Sequence, residues 1–215
     1  MVGLLLFDVR CYGHSRIVRR GSCIVASNHE SFLDPWIVGL CIPRAAYFLA
    51  RETLFRIPLF GRLIYSVHAR PIPREGGAAS RQAIRVSRRI VEEGGLLLMF
   101  PEGTRSADGR LGTVKRGVEL IAGPSAAPVV PAYIEGSFEA WPRHRPLPRL
   151  KSVRVFFGEP IGTGGRPAQV TGNKLSCADL TGRLSAAFRS LEAEASRVRG
   201  RGSAVPDGRL PMYFG

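Results

Sequence analysis

The stretch SNHESFLDP, residues 27–35, sets His29 five positions before Asp34 and Asp34 directly before Pro35. An imidazole titrates near neutral pH and can take a proton from a hydroxyl. It works best when a carboxylate holds its other ring nitrogen. Glu30 adjoins His29, but neighbouring side chains diverge, whereas Asp34 can fold back across a tight loop. A plainer reading is also physical: Asp34 caps a helix with Pro35 in its first position. A lone His-x4-Asp match does not choose between the two.

FPEGTRS, residues 100–106, directly follows the apolar run LLLM. Gly103 lets backbone amides approach a ligand closely. Thr104 and Ser106 carry hydroxyls, and Arg105 can fork onto a phosphate. Glu102 can accept from a substrate hydroxyl or hold an arginine. The same residues also make an ordinary turn, with Pro101 and Gly103 in favoured positions. Arg70 lies in the short run VHARPI. Pro131 falls inside APVVPAYIEG, where it removes a ladder hydrogen bond unless it sits at an edge or bulge.

Elements of two kinds must position these residues. Residues 22–28, 45–50, 67–72, 96–100, 127–136 and 152–160 read as strands. Residues 34–42, 77–95, 114–122 and 176–198 read as helices, and 53–66 as a helix broken at Pro58 and Gly61. In 77–95, Ala83, Ile84, Ser87, Ile90 and Val91 share one face, with Arg81, Arg85, Arg88 and Arg89 on the other. Strands alternating with helices predict an α/β fold: a single domain, residues 1–198, with a mostly parallel central sheet flanked by helices. Residues 199–215, rich in Gly, Pro and Arg, read as a flexible tail.

With the elements in place, the motifs together resemble the glycerophospholipid acyltransferase family, typified by lysophosphatidic acid acyltransferases. NHESFLD is similar to its His-x4-Asp block, Gly61 through Arg70 to its second block, FPEGTRS to its third and VVPAYIEG to its proline-containing fourth. KRG, residues 115–117, also fits. Four blocks in order are far more specific than one. The resemblance covers about residues 15–165. It implies that His29 is the general base and Asp34 its orienting partner. It implies that Glu102, Gly103, Thr104, Arg105 and Arg70 hold the glycerol-phosphate part of an acceptor, and that Pro131 shapes the acyl side. Arg51 stands where a lysine is common in the family, and nothing upstream matches the membrane-embedded segment of some members.

The implied reaction moves a fatty acyl group from an acyl thioester, acyl-CoA or acyl carrier protein, to a hydroxyl of a lysophospholipid or glycerol phosphate, foremost 1-acylglycerol-3-phosphate. Thioesters are already activated, so neither a metal nor a cofactor is expected. The chain shows no G-x-S-x-G elbow, Walker loop or zinc-ligand spacing. Other amphiphilic acceptors and a non-catalytic lipid-binding role are alternatives.

Composition narrows the partners. The formal charge is +14, from 31 Lys+Arg against 17 Asp+Glu, which favours an anionic partner. Nucleic acid is not expected, because no recognition helix, zinc finger or ribonucleoprotein signature accompanies the charge. MVGLLLF is too short to span a bilayer, which needs about 20 apolar residues. A peripheral anionic membrane surface on the cytoplasmic side is therefore the expected location. WPRHRPLPRLKSVR, residues 141–154, mixes Trp141, Leu147 and Leu150 with arginines and is a candidate interfacial loop. Cys11, Cys23, Cys41 and Cys177 have no C-x-x-C spacing and read as reduced thiols of a cytoplasmic protein.

Overall fold

The structure is a computed structural model that describes residues 8–73, 76–145, 147–162 and 180–200. Seven strands form one sheet: β1 (Val9–Tyr12), β2 (Cys23–Ser27), β3 (Ala46–Arg51), β4 (Ala69–Ile72), β5 (Leu96–Met99), β6 (Val129–Glu135) and β7 (Val153–Phe157). Their order is β1-β7-β6-β2-β5-β3-β4. The five strands from β6 to β4 are parallel, and β7 turns back antiparallel to β6 with β1 parallel beside it. The helices are α1 (Asp34–Leu40), α2 (Glu52–Phe55), α3 (Phe60–Ser66), α4 (Gly77–Glu92), α5 (Gly117–Ser125), α6 (Ser137–Ala140) and α7 (Leu180–Gly200). The expected α/β domain with a mostly parallel sheet is thus what forms.

The sheet is covered on both faces. Cys23 and Val25 of β2 point into a core with Ile37 and Val38 of α1 and Ile64 of α3. Ile24 and Ala26 point the other way, toward Val91 of α4, Val118 and Ile121 of α5 and Phe188 of α7. Every residue of β2 is buried, which is why this central strand reads as a continuous apolar run. On α4, Ser87, Ile90 and Val91 are buried and Arg85 is exposed, as the spacing predicts.

Some details differ from expectation. β1 and the single-turn α6 were not anticipated; both are too short for a periodic signal. Residues 53–66 do break, with Leu59 at φ 63 between α2 and α3. Pro131 lies inside β6 rather than at an edge or bulge, between β2 and β7. It is tolerated because its carbonyl accepts from Gly158 N–H at 2.8 Å, one residue past the end of β7, so its donor-free side faces the end of a ladder. A Cβ on Gly158 would stand 2.9 Å from the Pro131 ring, so only glycine leaves it room.

The cysteine reading needs correction. Cys11 and Cys41 form a disulfide across 30 residues of sequence. Both are fully buried in the same core cluster, one on β1 and one just after α1. No local spacing encodes that pairing; the packing of β1 and α1 creates it. Cysteine usage therefore does not argue for a reducing compartment. Cys23 remains a free buried thiol, pushed up to about 11 by burial. Cys177 lies outside the described residues, as do the start of the expected helix at 176 and the tail beyond Gly200.

Candidate active site

Parallel strands place their following loops at one edge, where open α/β sheets bind ligands. β2 delivers Asn28 and His29 there, and its neighbour β5 delivers Phe100 and the PEGTRS loop. Asn28 pins the exit of β2: its side-chain amide donates to Ile134 O at 3.0 Å and its oxygen accepts from Ile134 N–H at 2.7 Å.

His29 Nδ1 lies 2.7 Å from Asp34 Oδ2. The same oxygen accepts from Glu30 N–H at 2.6 Å and Ser31 N–H at 2.7 Å. Asp34 is fully buried. Its side chain does not cap α1, whose N-cap is Leu33 with no side-chain bond. The carboxylate instead reaches back and closes the turn that carries the histidine. Of the two contacts the sequence allowed Asp34, the structure therefore shows the one to His29 and not the helix cap. With Nδ1 bonded to the carboxylate, Nε2 is the ring nitrogen left for another partner. The ring stacks on Phe100 with centroids 4.1 Å apart, so its tilt is held as well.

The backbone of His29 is gripped on both sides by the third block. Its N–H donates to Glu102 Oε1 at 3.0 Å, and its carbonyl accepts from Ser106 N–H at 2.7 Å. Glu102 Oε2 accepts from Gly112 N–H at 3.0 Å. Both oxygens of this buried carboxylate are therefore engaged by protein amides, and its position is that of a brace between loops. Burial raises its pKa, against the pull of those amides. Gly112 makes the brace possible, since a Cβ there would collide with Glu102 Oε2. Gly103 adopts φ +72 and lies against the Lys115 side chain. Thr104 is exposed.

Arg105 lies with its guanidinium carbon 3.4 Å from the centroid of Phe32, which is in the histidine loop. Its Nη1 is buried without a hydrogen-bond partner among the described residues. Burial, then the like charges of Arg143 and Arg51, push its pKa down. A buried guanidinium donor near other cations has the chemistry to bind an anion. Arg70 sits elsewhere, at 4.9 Å from the Tyr47 ring and 5.8 Å from that of Tyr65. β4 is three strands from β2, about 14 Å across the sheet. The structure joins His29, Asp34 and Glu102 by hydrogen bonds and sets Arg105 against the histidine loop, while Arg70 on β4 stacks near Tyr47 and Tyr65.

The sequence reading missed Asn28, Ser106 as a backbone clamp, and Gly112. It also missed Glu30, which is buried and pushed up to about 9 by burial and then by Asp34. Glu30 accepts from Asn28 Nδ2 at 3.1 Å and from Ser137 Oγ at 3.5 Å. A carboxyl in so dry a place is neutral at pH 7. Only the polarity of the NHES run, directly after a buried strand, hinted at such a network.

Comparisons with known proteins bear on the family and the fold. A model of the acyltransferase family matches residues 8–135. A 1-acyl-sn-glycerol-3-phosphate acyltransferase of Limnanthes alba is 37% identical over 145 residues, 65% of this chain and 50% of its own. One from Bacillus subtilis is 27% identical over 154 residues, 71% of this chain and 73% of its own. The crystal structure of the 1-acyl-sn-glycerophosphate acyltransferase PlsC from Thermotoga maritima superposes with a TM-score of 0.73 at 27% identity, covering 91% of this chain and 76% of that one. The chain spans about half the length of several curated relatives it matches, such as that of Cocos nucifera, at 46%. The match over residues 8–135 shows that this chain belongs to the acyltransferase family.

Proposed function

We propose that the chain transfers a fatty acyl group from an acyl thioester to the free hydroxyl of 1-acylglycerol-3-phosphate, with His29 as general base. The observation that carries this reading is the His29–Asp34 pair at 2.7 Å beside Arg105, whose buried Nη1 has no hydrogen-bond partner among the described residues. The named activities of the Limnanthes and Bacillus relatives support the choice of acceptor.

The acceptor phosphate binds Arg105, with Arg143 and Arg51 adding to the positive field. This sets the hydroxyl against His29 Nε2. As the hydroxyl oxygen attacks the thioester carbonyl carbon, its proton passes to Nε2, and Asp34 stabilises the resulting imidazolium through Nδ1. Collapse of the tetrahedral intermediate breaks the C–S bond. The leaving thiolate takes the proton back from Nε2, giving the ester and a free thiol. Acyl-CoA and acyl carrier protein both supply such a donor, and no further cofactor enters the balance. Among the described residues no helix is long and apolar enough to cross a membrane. Access to a lipid acceptor is then peripheral, at the anionic inner face of the membrane, where a +14 chain is attracted.

The test is a radiolabelled acyl-donor assay, with acyl-CoA and acyl carrier protein, against glycerol 3-phosphate and a panel of lysolipids. Labelled product with lysophosphatidic acid, lost in His29→Ala, is the expected result. Equal transfer by His29→Ala would remove the base from the mechanism.

A further inference from the structure

The described residues expose an unusual group of large apolar side chains in one place. Ile57, Leu59, Phe60 and Leu63 are 49, 78, 36 and 47% exposed, all in α3 and the turn before it. The spacing is not random. Gly61 and Ile64 of α3 face inward: Ile64 is 3% exposed, and a Cβ on Gly61 would collide with the Phe55 carbonyl of α2. The close approach at Gly61 locks α2 against α3, and the remaining apolar positions have nowhere to point but outward. Leu59, at φ 63, is held in a backbone conformation that leucine rarely adopts, and its side chain is the most exposed of the group. A soluble surface has no reason to hold it there.

Charge surrounds the group. Arg51, Arg56 and Arg62 are exposed around it, and the acidic neighbour Glu52 pairs with Arg56 at 3.5 Å. The topology also fixes where the patch lies. The chain enters α2 from the carboxyl end of β3 and must return to the opposite edge before starting the parallel β4. The turn at residues 56–59 is therefore at the edge that carries His29. Arg51, the last residue of β3, is among the cations that push the Arg105 pKa down, so the start of this segment lies toward the site.

We propose that the turn and helix from Ile57 to Leu63 form the membrane-docking surface, inserting their apolar side chains among the acyl chains of an anionic bilayer while Arg56 and Arg62 bind lipid headgroups. An apolar face rimmed by arginine is complementary to an anionic interface, and its depth suits partial insertion rather than spanning. The 141–154 loop exposes Leu147 and Leu150 but is the weaker candidate, because its one aromatic, Trp141, is occupied: its ring meets Phe32 at 5.6 Å and its Nε1 donates to Arg145 O at 3.0 Å. Docking through α3 rests on the acyltransferase reading only for its purpose; it sets the opening of the site against the layer that holds a lipid acceptor.

The experiment is flotation of the whole chain with vesicles of equal parts phosphatidylglycerol and phosphatidylcholine. A Leu59→Ser/Leu63→Ser variant is expected to bind at least about tenfold more weakly, from the apolar area withdrawn. Leu59→Phe/Leu63→Phe is expected to bind like the wild type. Arg62→Glu, which leaves the apolar group intact, is expected to weaken binding at low salt and less at high salt. Vesicle binding by the serine variant equal to wild type, or none by the wild type, overturns the proposal. So does normal vesicle binding with transfer lost only when acyl carrier protein is the donor, which would make the patch a protein-docking site. Transfer to a short-chain acceptor below its micelle concentration is measured alongside and is expected to survive in the serine variant. A wild type that binds vesicles through this patch yet acylates no acceptor would remove the proposed reaction and leave the docking surface standing.

Discussion

The turn after β2 and the helical pair after β3 leave the same edge of the parallel sheet, and they spend their residues in opposite ways. The first hides polar groups. Asp34, Glu30, Ser31 and Asn28 are all buried, and one carboxylate oxygen collects three donors. The second shows apolar groups to solvent: α3 buries only Gly61 and Ile64, and α2 packs Leu54 and Phe55 partly against the core. The difference teaches what each segment needs. A proton-transfer site needs one fixed geometry, and buried hydrogen bonds supply it because breaking any of them is costly. A surface that meets lipid needs exposed area, and little geometry.

The comparison can be broken most severely at the dyad. His29→Ala should lower transfer by on the order of 10²–10⁴-fold while the far-ultraviolet circular dichroism spectrum is unchanged. Asp34→Ala should be as inactive and also less stable, by about 2–4 kcal/mol, because two buried amides and the ring lose one acceptor. Asp34→Asn sharpens the point: it keeps an acceptor oxygen but loses the charge, so chemical denaturation should show a smaller deficit than Asp34→Ala while turnover stays low.

Arg105→Ala should raise the acceptor KM by about tenfold or more and leave the donor KM nearly unchanged, as expected for loss of a phosphate contact. An effect confined to the donor would put this arginine in another subsite. Glu102→Gln should act as loss of a brace. One of its two amide partners then faces an NH2 group, costing about 1–3 kcal/mol in the denaturation midpoint with a fall mainly in kcat rather than in KM.

The last prediction concerns stability alone, at Glu30. Its folded pKa, about 9, lies above the ordinary value of 4.5. Between those values the unfolded chain has released a proton that the folded chain retains, so stability is full below about 4.5 and falls as pH rises toward 9. Glu30→Gln keeps the hydrogen-bonding shape and should flatten this slope in thermal unfolding followed across that window.

Much of the architecture was legible because it rests on local pattern. The continuous apolar runs at 22–28 and 96–100 became β2 and β5, and the helical spacing at 77–95 became α4. Short elements such as β1 and α6 escaped, since four residues carry no period. In the site, residue types were readable and their partners were not. Glu102 offered itself as a substrate ligand, but packing turned both its oxygens to amides of His29 and Gly112, 73 and 10 residues away in sequence.

By itself the sequence determined the α/β class, the strand-borne positions of His29 and the third block, and the excess of positive charge, because periodicity, composition and motif order are local or additive properties. Only the tertiary structure decided which oxygen of Asp34 holds which nitrogen of His29, that Arg70 stacks near Tyr47 and Tyr65, that Cys11 meets Cys41, and that Phe60 and Leu63 of α3 face outward while Ile64 faces in. Each of these depends on which segments pack side by side, and sequence separation places no limit on that.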